Sequence, residues 1–278
     1  MNKKRIVIVG GGSAGWITAA ILVKGLPAID YDITLIESPD IPTIGVGEAT
    51  IPPIVNLITY LGLDETDFIH KINGTYKYGI HFENWSSIGH SYMHAFGEIG
   101  YSTENMSFSE MWLNYKSPLN LYPLNAYSPC ASAAYAKKFS TPYLPNNFIL
   151  EPNDHISENY PLNHFYPTSK LFYAYQFDAG LLAKSLKSYA LTLGVNFISN
   201  NVTHVDISHV DGNLESKLNK GIKAIKLANK STITADYYVD CTGTKGLLNK
   251  QALSCEYQQW NQYLPCDRAV VVQTKSNE

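Results

Sequence analysis

The segment Gly10-Gly11-Gly12-Ser13-Ala14-Gly15 constrains the chain most, because of what flanks it. Residues 5–9 (RIVIV) form an almost unbroken apolar run, the pattern of a central parallel strand buried on both faces. Residues 16–25 read as a helix, and residues 32–37 as a second strand ending in LIES. The three elements make a βαβ unit with GxGxxG at its first turn. Gly10 permits the tight turn, Gly12 lets backbone approach a pyrophosphate, and Gly15 allows close helix–strand packing. Ser13 and Ala14 open a helix whose N–H groups and dipole would face the phosphates. Glu37 stands 22 residues past Gly15, where a carboxylate accepts hydrogen bonds from adenosine ribose hydroxyls. The expected ligand is an adenine dinucleotide; the bland alternative is a tight βα turn that binds nothing.

NAD and FAD both fit that fingerprint. A nicotinamide dehydrogenase usually continues with further βα units in series. Here the first unit runs instead into a Pro/Gly-punctuated loop at residues 38–53, then a short helix at 54–61. The chain returns to the sheet only at YYVDCTG, residues 237–243. That arrangement is typical of two-domain flavoproteins, and FAD is the better fit. The expected fold class is α/β, an FAD-binding Rossmann-like fold of the two-domain flavin monooxygenase type with a mixed β-sheet. Residues 1–80 and 170–278 would form the FAD-binding core, and residues 81–169 an irregular substrate-side region, all within one incomplete domain spanning 1–278.

The remaining elements follow from local signals. A strand is expected near 172–177, then Asp178 as N-cap of a helix whose Leu181, Leu182, Leu186 and Ala190 keep helical spacing, with Gly194 as the stop. Short strands follow at 195–198, 202–207 and 222–227, with turns at Asp211-Gly212-Asn213 and Asn229-Lys230-Ser231. A last strand is expected over 233–240. Around Glu48 and Ala49, the glycines of Gly45-Val46-Gly47 would let backbone pass close over a flat ligand.

Composition removes other classes. Apolar residues make up 45% and charged residues 16%, the balance of a folded protein, and a net charge of −3 offers no basic field for nucleic acid or an anionic membrane. Cys130, Cys241, Cys255 and Cys266 form no CxxC pair, which argues against structural zinc or a disulfide framework. The N-terminal apolar run is too short for a signal peptide and no segment reaches transmembrane length, so a cytoplasmic protein is expected.

Residues 73–85, NGTYKYGIHFENW, place one lysine in a strand-like run. Taken alone, Lys77 reads as a solvated strand charge. GGGSAGW, IGVGEATIP and NGTYK…NW, in this order and near this spacing, resemble the flavin-dependent tryptophan halogenases. The resemblance continues through YQFDAGLLAKSL, where that family tends to have His in place of Gln176, and ADYYVDCTGTKGLL, where it usually shows a hydrophobic-Arg pair in place of Thr244-Lys245. It covers nearly the whole chain and is thinnest from about 100 to 165.

The resemblance implies an enzyme to which a separate flavin reductase supplies FADH2. Oxygen would give a flavin C4a-hydroperoxide, halide would become hypohalous acid, and an active-site lysine would pass the halogen to an electron-rich, indole-like aromatic. Lys77 falls on that lysine. In a continuous strand it would share a face with Gly79 and His81, with Gly79 leaving room beside the amine. His94 and Phe96 match substrate-stacking positions, although ordinary aromatic packing explains them as well. Glu48 and Ala49 join Gly10, Gly12, Ser13, Ala14, Gly15 and Glu37 as cofactor contacts, and Val202 matches a backbone contact to the adenine. The sequence stops at Glu278 without the family's WxWxIP motif or later glutamate, so the expectation is a truncated form. A complementing chain or homo-oligomer would then be its partner. A hydroxylating flavin monooxygenase and a non-catalytic FAD-binding remnant are the alternatives.

Overall fold

The computed structural model describes residues 3–43, 45, 48–140, 171–209, 220–268, 270 and 272. Val46, Gly47, the turn at 211–213 and Glu278 lie outside them. Along the chain come β1 (Lys4–Val9), α1 (Ser13–Gly25), β2 (Tyr31–Glu37), β3 (Glu48–Ala49), α2 (Pro53–Leu61) and α3 (Glu65–Lys71). Then follow β4 (Thr75–Lys77), β5 (Gly79–Glu83), β6 (Ser91–Ala95), α4 (Phe108–Tyr115) and α5 (Pro129–Tyr135). The last part holds β7 (Ala174–Phe177), α6 (Ala179–Thr192), β8 (Asn196–Ser199), β9 (Val202–His209), β10 (Lys220–Leu227), β11 (Thr232–Ile233) and β12 (Tyr237–Asp240). No described helix is long and apolar enough to cross a membrane.

The chain divides into two compact units. The first comprises Met1–Glu48, His70–Asn73 and Phe177–Glu278. Its centre is a parallel sheet in the order β12-β1-β2-β8. Val7 and Val9 of β1 and Ile36 of β2 are buried against Ile225 and Leu227 of β10, so the antiparallel sheet β11-β10-β9 covers one face. Alternation sends Ile6 and Ile8 to the opposite face. There α1 and α6 pack together, and Trp16 meets Phe197 of β8 at a ring distance of 5.8 Å. Asp178 caps α6 by accepting the Leu181 N–H at 2.9 Å, and Gly194 turns the chain away at φ +101°, the stop that the sequence pattern marks. These layers are the mixed α/β, Rossmann-like arrangement that the sequence predicts.

The second unit comprises Ala49–Ile69 and Gly74–Gln176. In it β7 lies between β3 and β4, and β5 pairs with β6 as a separate antiparallel hairpin.

Two runs that read as single strands are each divided. Residues 75–83 split at Tyr78, because β4 pairs with β7 whereas β5 pairs with β6. Tyr78 itself is buried, its hydroxyl donating to the Ser140 carbonyl at 2.7 Å and accepting the Ser140 N–H at 3.0 Å. Residues 233–240 split likewise, since β11 joins the antiparallel sheet and β12 the parallel one.

Candidate active site

The glycine loop sits at the C-terminal end of β1, where an open parallel sheet leaves its crevice. Gly10 adopts φ +114°, and a Cβ there would lie 2.2 Å from the Cys241 carbonyl oxygen, so only glycine fits. A Cβ on Gly15 would come within 1.8 Å of the Gly10 carbonyl oxygen, which seats the first turn of α1 on the loop. Gly12, by contrast, has nothing within 4 Å of its Cβ position, and it stands at the N-cap of α1 without a side-chain cap. Open space beside uncapped helix N–H groups is what a pyrophosphate requires, so the residues present fit the phosphate part of FAD. Ser13 opens the helix half-buried, and Ala14 is exposed.

Glu37 ends β2 beside this loop, and a Cβ on Gly11 would strike its Cγ at 2.3 Å. Its Oε2 receives an ion pair from Lys187 Nζ at 2.7 Å. The fingerprint gives no warning of Gly11's role or of Lys187. The one sequence signal for Lys187 is its place on α6 one turn from the buried Ala183 and Ala190, an odd position for a lysine. Val202 opens β9 opposite Leu227 and packs its side chain on the core, which leaves its backbone as the part a ligand could touch.

Across the turn after β12, Asp240 gathers four donors. Its Oδ1 accepts the Thr242 N–H at 3.0 Å and the Thr242 hydroxyl at 2.6 Å; its Oδ2 accepts the N–H groups of Leu248 and Asn249, both at 2.9 Å. Burial alone pushes this carboxyl up, but the hydrogen bonds from Thr242, Asn249 and Leu248 outweigh it and hold the group below the usual Asp range.

Lys77 lies in the second unit, at the end of β4 and directly opposite Ala174 of β7. Its Nζ donates to the Thr50 carbonyl oxygen at 3.1 Å and stands 5.4 Å from the centre of the Phe96 ring. Desolvation lowers its pKa from the ordinary lysine value, so the strand-like surface charge is in fact a half-buried amine. Thr50 is locked in turn. Its N–H and hydroxyl both donate to the Tyr175 carbonyl, at 2.9 and 2.8 Å, and its Oγ1 accepts the Tyr175 N–H at 3.1 Å.

The opposite face of the same strands is aromatic. Tyr76 pairs across from Tyr175, and the hydroxyls of Tyr173 and Tyr175 donate to the two oxygens of Glu65 at 3.0 and 2.8 Å. Burial first, and then the charge of Glu65 and the hydrogen bonds to it, push both phenols well above the usual tyrosine range, so they remain donors. This packed face fixes β4 and thereby the position of Lys77.

Gly79 does not make room beside the amine. A Cβ there would meet the His94 carbonyl oxygen at 2.4 Å, so the glycine admits the β6 backbone instead. The small residue facing Lys77 is Ala174, fully buried, and sequence reasoning missed it as it missed Thr50. Of the two aromatic candidates, Phe96 is brought to Lys77, whereas His94 is exposed, opposite Ile80, with its ring 6.5 Å from Phe82. Glu48 and Ala49 form β3, next to β7.

The family model described as tryptophan halogenase matches residues 5–278. The 7-chloro-L-tryptophan 6-halogenase KtzR of Kutzneria sp. (strain 744) is 34% identical over 272 residues, covering 96% of this chain and 50% of that protein. The tryptophan 6-halogenase SttH of Streptomyces toxytricini is 32% identical over 277 residues, covering 98% and 50%. Among solved structures, BrvH, a flavin-dependent halogenase from Brevundimonas sp. BAL3, superposes with a TM-score of 0.78 at 33% identity, covering 95% of this chain and 47% of its own. The chain thus spans about half the length of the curated relatives it matches. With the family match running almost from end to end and solved halogenases sharing the fold at a third identity, the chain belongs to the tryptophan halogenase family.

Proposed function

We propose that this chain acts in the FAD-dependent halogenation of an electron-rich, indole-like aromatic, with Lys77 as the residue that delivers the halogen. The observation that carries this reading is the desolvated amine of Lys77, held by the Thr50 carbonyl and facing the Phe96 ring.

Reduced FAD, supplied by a separate flavin reductase, provides with O2 the oxidising equivalent that turns halide into hypohalous acid. Gly10, Gly12, Ser13, Ala14, Gly15 and Glu37 bind and orient the cofactor through backbone N–H groups and one carboxylate, with Glu48, Ala49 and the Val202 backbone as further contacts. Lys77 then has two routes. As ammonium it donates a hydrogen bond to the hypohalous oxygen and polarises the O–halogen bond toward the ring. As neutral amine it exchanges a proton for the halogen and releases water; ring attack then breaks the N–halogen bond, the electron pair stays on nitrogen, and the proton the ring loses restores the amine. Desolvation enlarges the neutral fraction at any pH, which favours the second route. Phe96, with a flat face beside the amine, and His94 are the residues proposed to stack on the substrate ring.

The test is an assay with FAD, a flavin reductase and NADH, halide, O2 and indole. It is run on the 278-residue chain alone and on its fusion to the C-terminal half of a relative such as KtzR. Haloindole that depends on halide and disappears in Lys77→Ala, at unchanged FAD affinity, is the expected result. Undiminished halogenation by that variant, or a hydroxylated product formed without halide, would contradict the proposal.

A further inference from the structure

Lys187 is a half-buried cation of the first unit whose position the proposed chemistry leaves unexplained. It projects from α6 toward the end of β2, and its ion pair with Glu37 is mostly withdrawn from solvent, with side-chain exposures of 30% and 26%. Its Nζ stands 3.6 Å from the centre of the Phe197 ring and 5.3 Å from that of Trp16. The ammonium is thus bracketed between a carboxylate and aromatic faces, an arrangement that favours the cation but restricts where it can go. Taking both charges partly out of water costs desolvation, so such a pair is weak evidence for stability alone.

Its effect on Glu37 is specific. The side chain fills the space that Gly11 leaves by lacking a Cβ, the Asn200 N–H fixes the Glu37 carbonyl at 2.9 Å, and Lys187 occupies Oε2. A carboxylate offers about four acceptor sites on two oxygens, so Oε1 retains its capacity. The carboxylate also carries a negative charge in the element that ends beside a phosphate-type loop, and the ammonium offsets it.

Resting on FAD as the ligand of the glycine loop, we propose that Lys187 is a positioning residue for the adenosine ribose. It holds Glu37 so that Oε1 accepts from the ribose hydroxyls, and it cancels the repulsion between that carboxylate and the pyrophosphate. Lys187 touches no part of the cofactor itself and acts through Glu37.

FAD titrations of the 278-residue chain, followed by flavin fluorescence, test this without requiring turnover. Lys187→Met keeps the stem over Phe197 and removes the charge; about tenfold weaker FAD binding is expected, the scale of one charge-assisted hydrogen bond. Lys187→Arg restores affinity to within about threefold, because the guanidinium also pairs with a carboxylate over a ring. In the Glu37→Gln background, Lys187→Met should have no further effect, since the residue it acts through is already neutral. Wild-type affinity in Lys187→Met, or losses that multiply in the double variant, would overturn the inference. If Lys187→Met does not fold, Lys187→Gln carries the same expectation and the same refutation. Failure of the unsubstituted chain to bind FAD would instead defeat the FAD reading itself, and it is seen before any variant is made.

Discussion

At the residue scale the site depends on small side chains as much as on reactive ones. Ala174 faces Lys77 across the strand pair, so Ala174→Leu introduces three carbons into a fully buried position beside the amine. Overpacking of this kind costs about 1–3 kcal/mol, and here it displaces Nζ from the Thr50 carbonyl. The expected outcome is loss of halogenation with FAD affinity retained, read by product formation and flavin fluorescence; unchanged halogenation would show that the amine needs no such room. The turn at Gly10 and the helix packing at Gly15 are legible in the sequence because both arise within one short loop, whereas the Cys241 carbonyl that also excludes a Cβ at Gly10 is not. Nor are Ala174 and Lys187. The first acquires its meaning from an antiparallel register with a residue nearly a hundred positions earlier, and the second from an ion pair 150 positions apart in sequence. Gly79 differs from expectation for a related reason: one continuous strand predicts space beside the amine, and a change of sheet partner fills that space with backbone.

At the scale of elements, the turn after β12 depends on Asp240. Two N–H groups at the start of the following π-helical turn, one further N–H and one hydroxyl all donate to it, so Asp240→Ala leaves partly buried donors without their acceptor. A loss of about 1–3 kcal/mol at neutral pH is expected from urea denaturation. The depressed carboxyl fixes the pH dependence. Its contribution is fully present above the ordinary Asp range and is lost as pH falls through the lower folded value, so the difference between wild type and variant should begin to shrink once pH falls below the ordinary Asp range. A gap that instead widens on acidification would refute the assignment. The segment before this turn shows why 233–240 reads as one strand: Ile233, Ala235 and Tyr238 all pack on one core cluster, so the transfer of the chain from β11 to β12 leaves no break in the apolar pattern. Asp178 and Gly194, whose capping signals are local, bounded α6 correctly.

At the scale of the whole molecule, two compact units carry the two halves of the proposed chemistry: a glycine cradle on a parallel sheet, and a lysine amine on a separate sheet braced by Tyr76, Tyr173, Tyr175 and Glu65. The packing that desolvates the amine exists only once the second unit is folded. Folding and titration are therefore linked. With the Lys77 pKa lowered in the folded chain, the unfolded chain binds more protons between the folded and ordinary lysine values, so this residue makes stability rise with pH across that window. The most direct measurement is an NMR titration of 13C-labelled lysine side chains, with Lys77 assigned from Lys77→Arg, in the folded chain and in urea. Lys77 is expected to titrate below the exposed lysines when folded and to rejoin them on unfolding. Titration of Lys77 together with the exposed lysines in the folded chain would contradict that expectation.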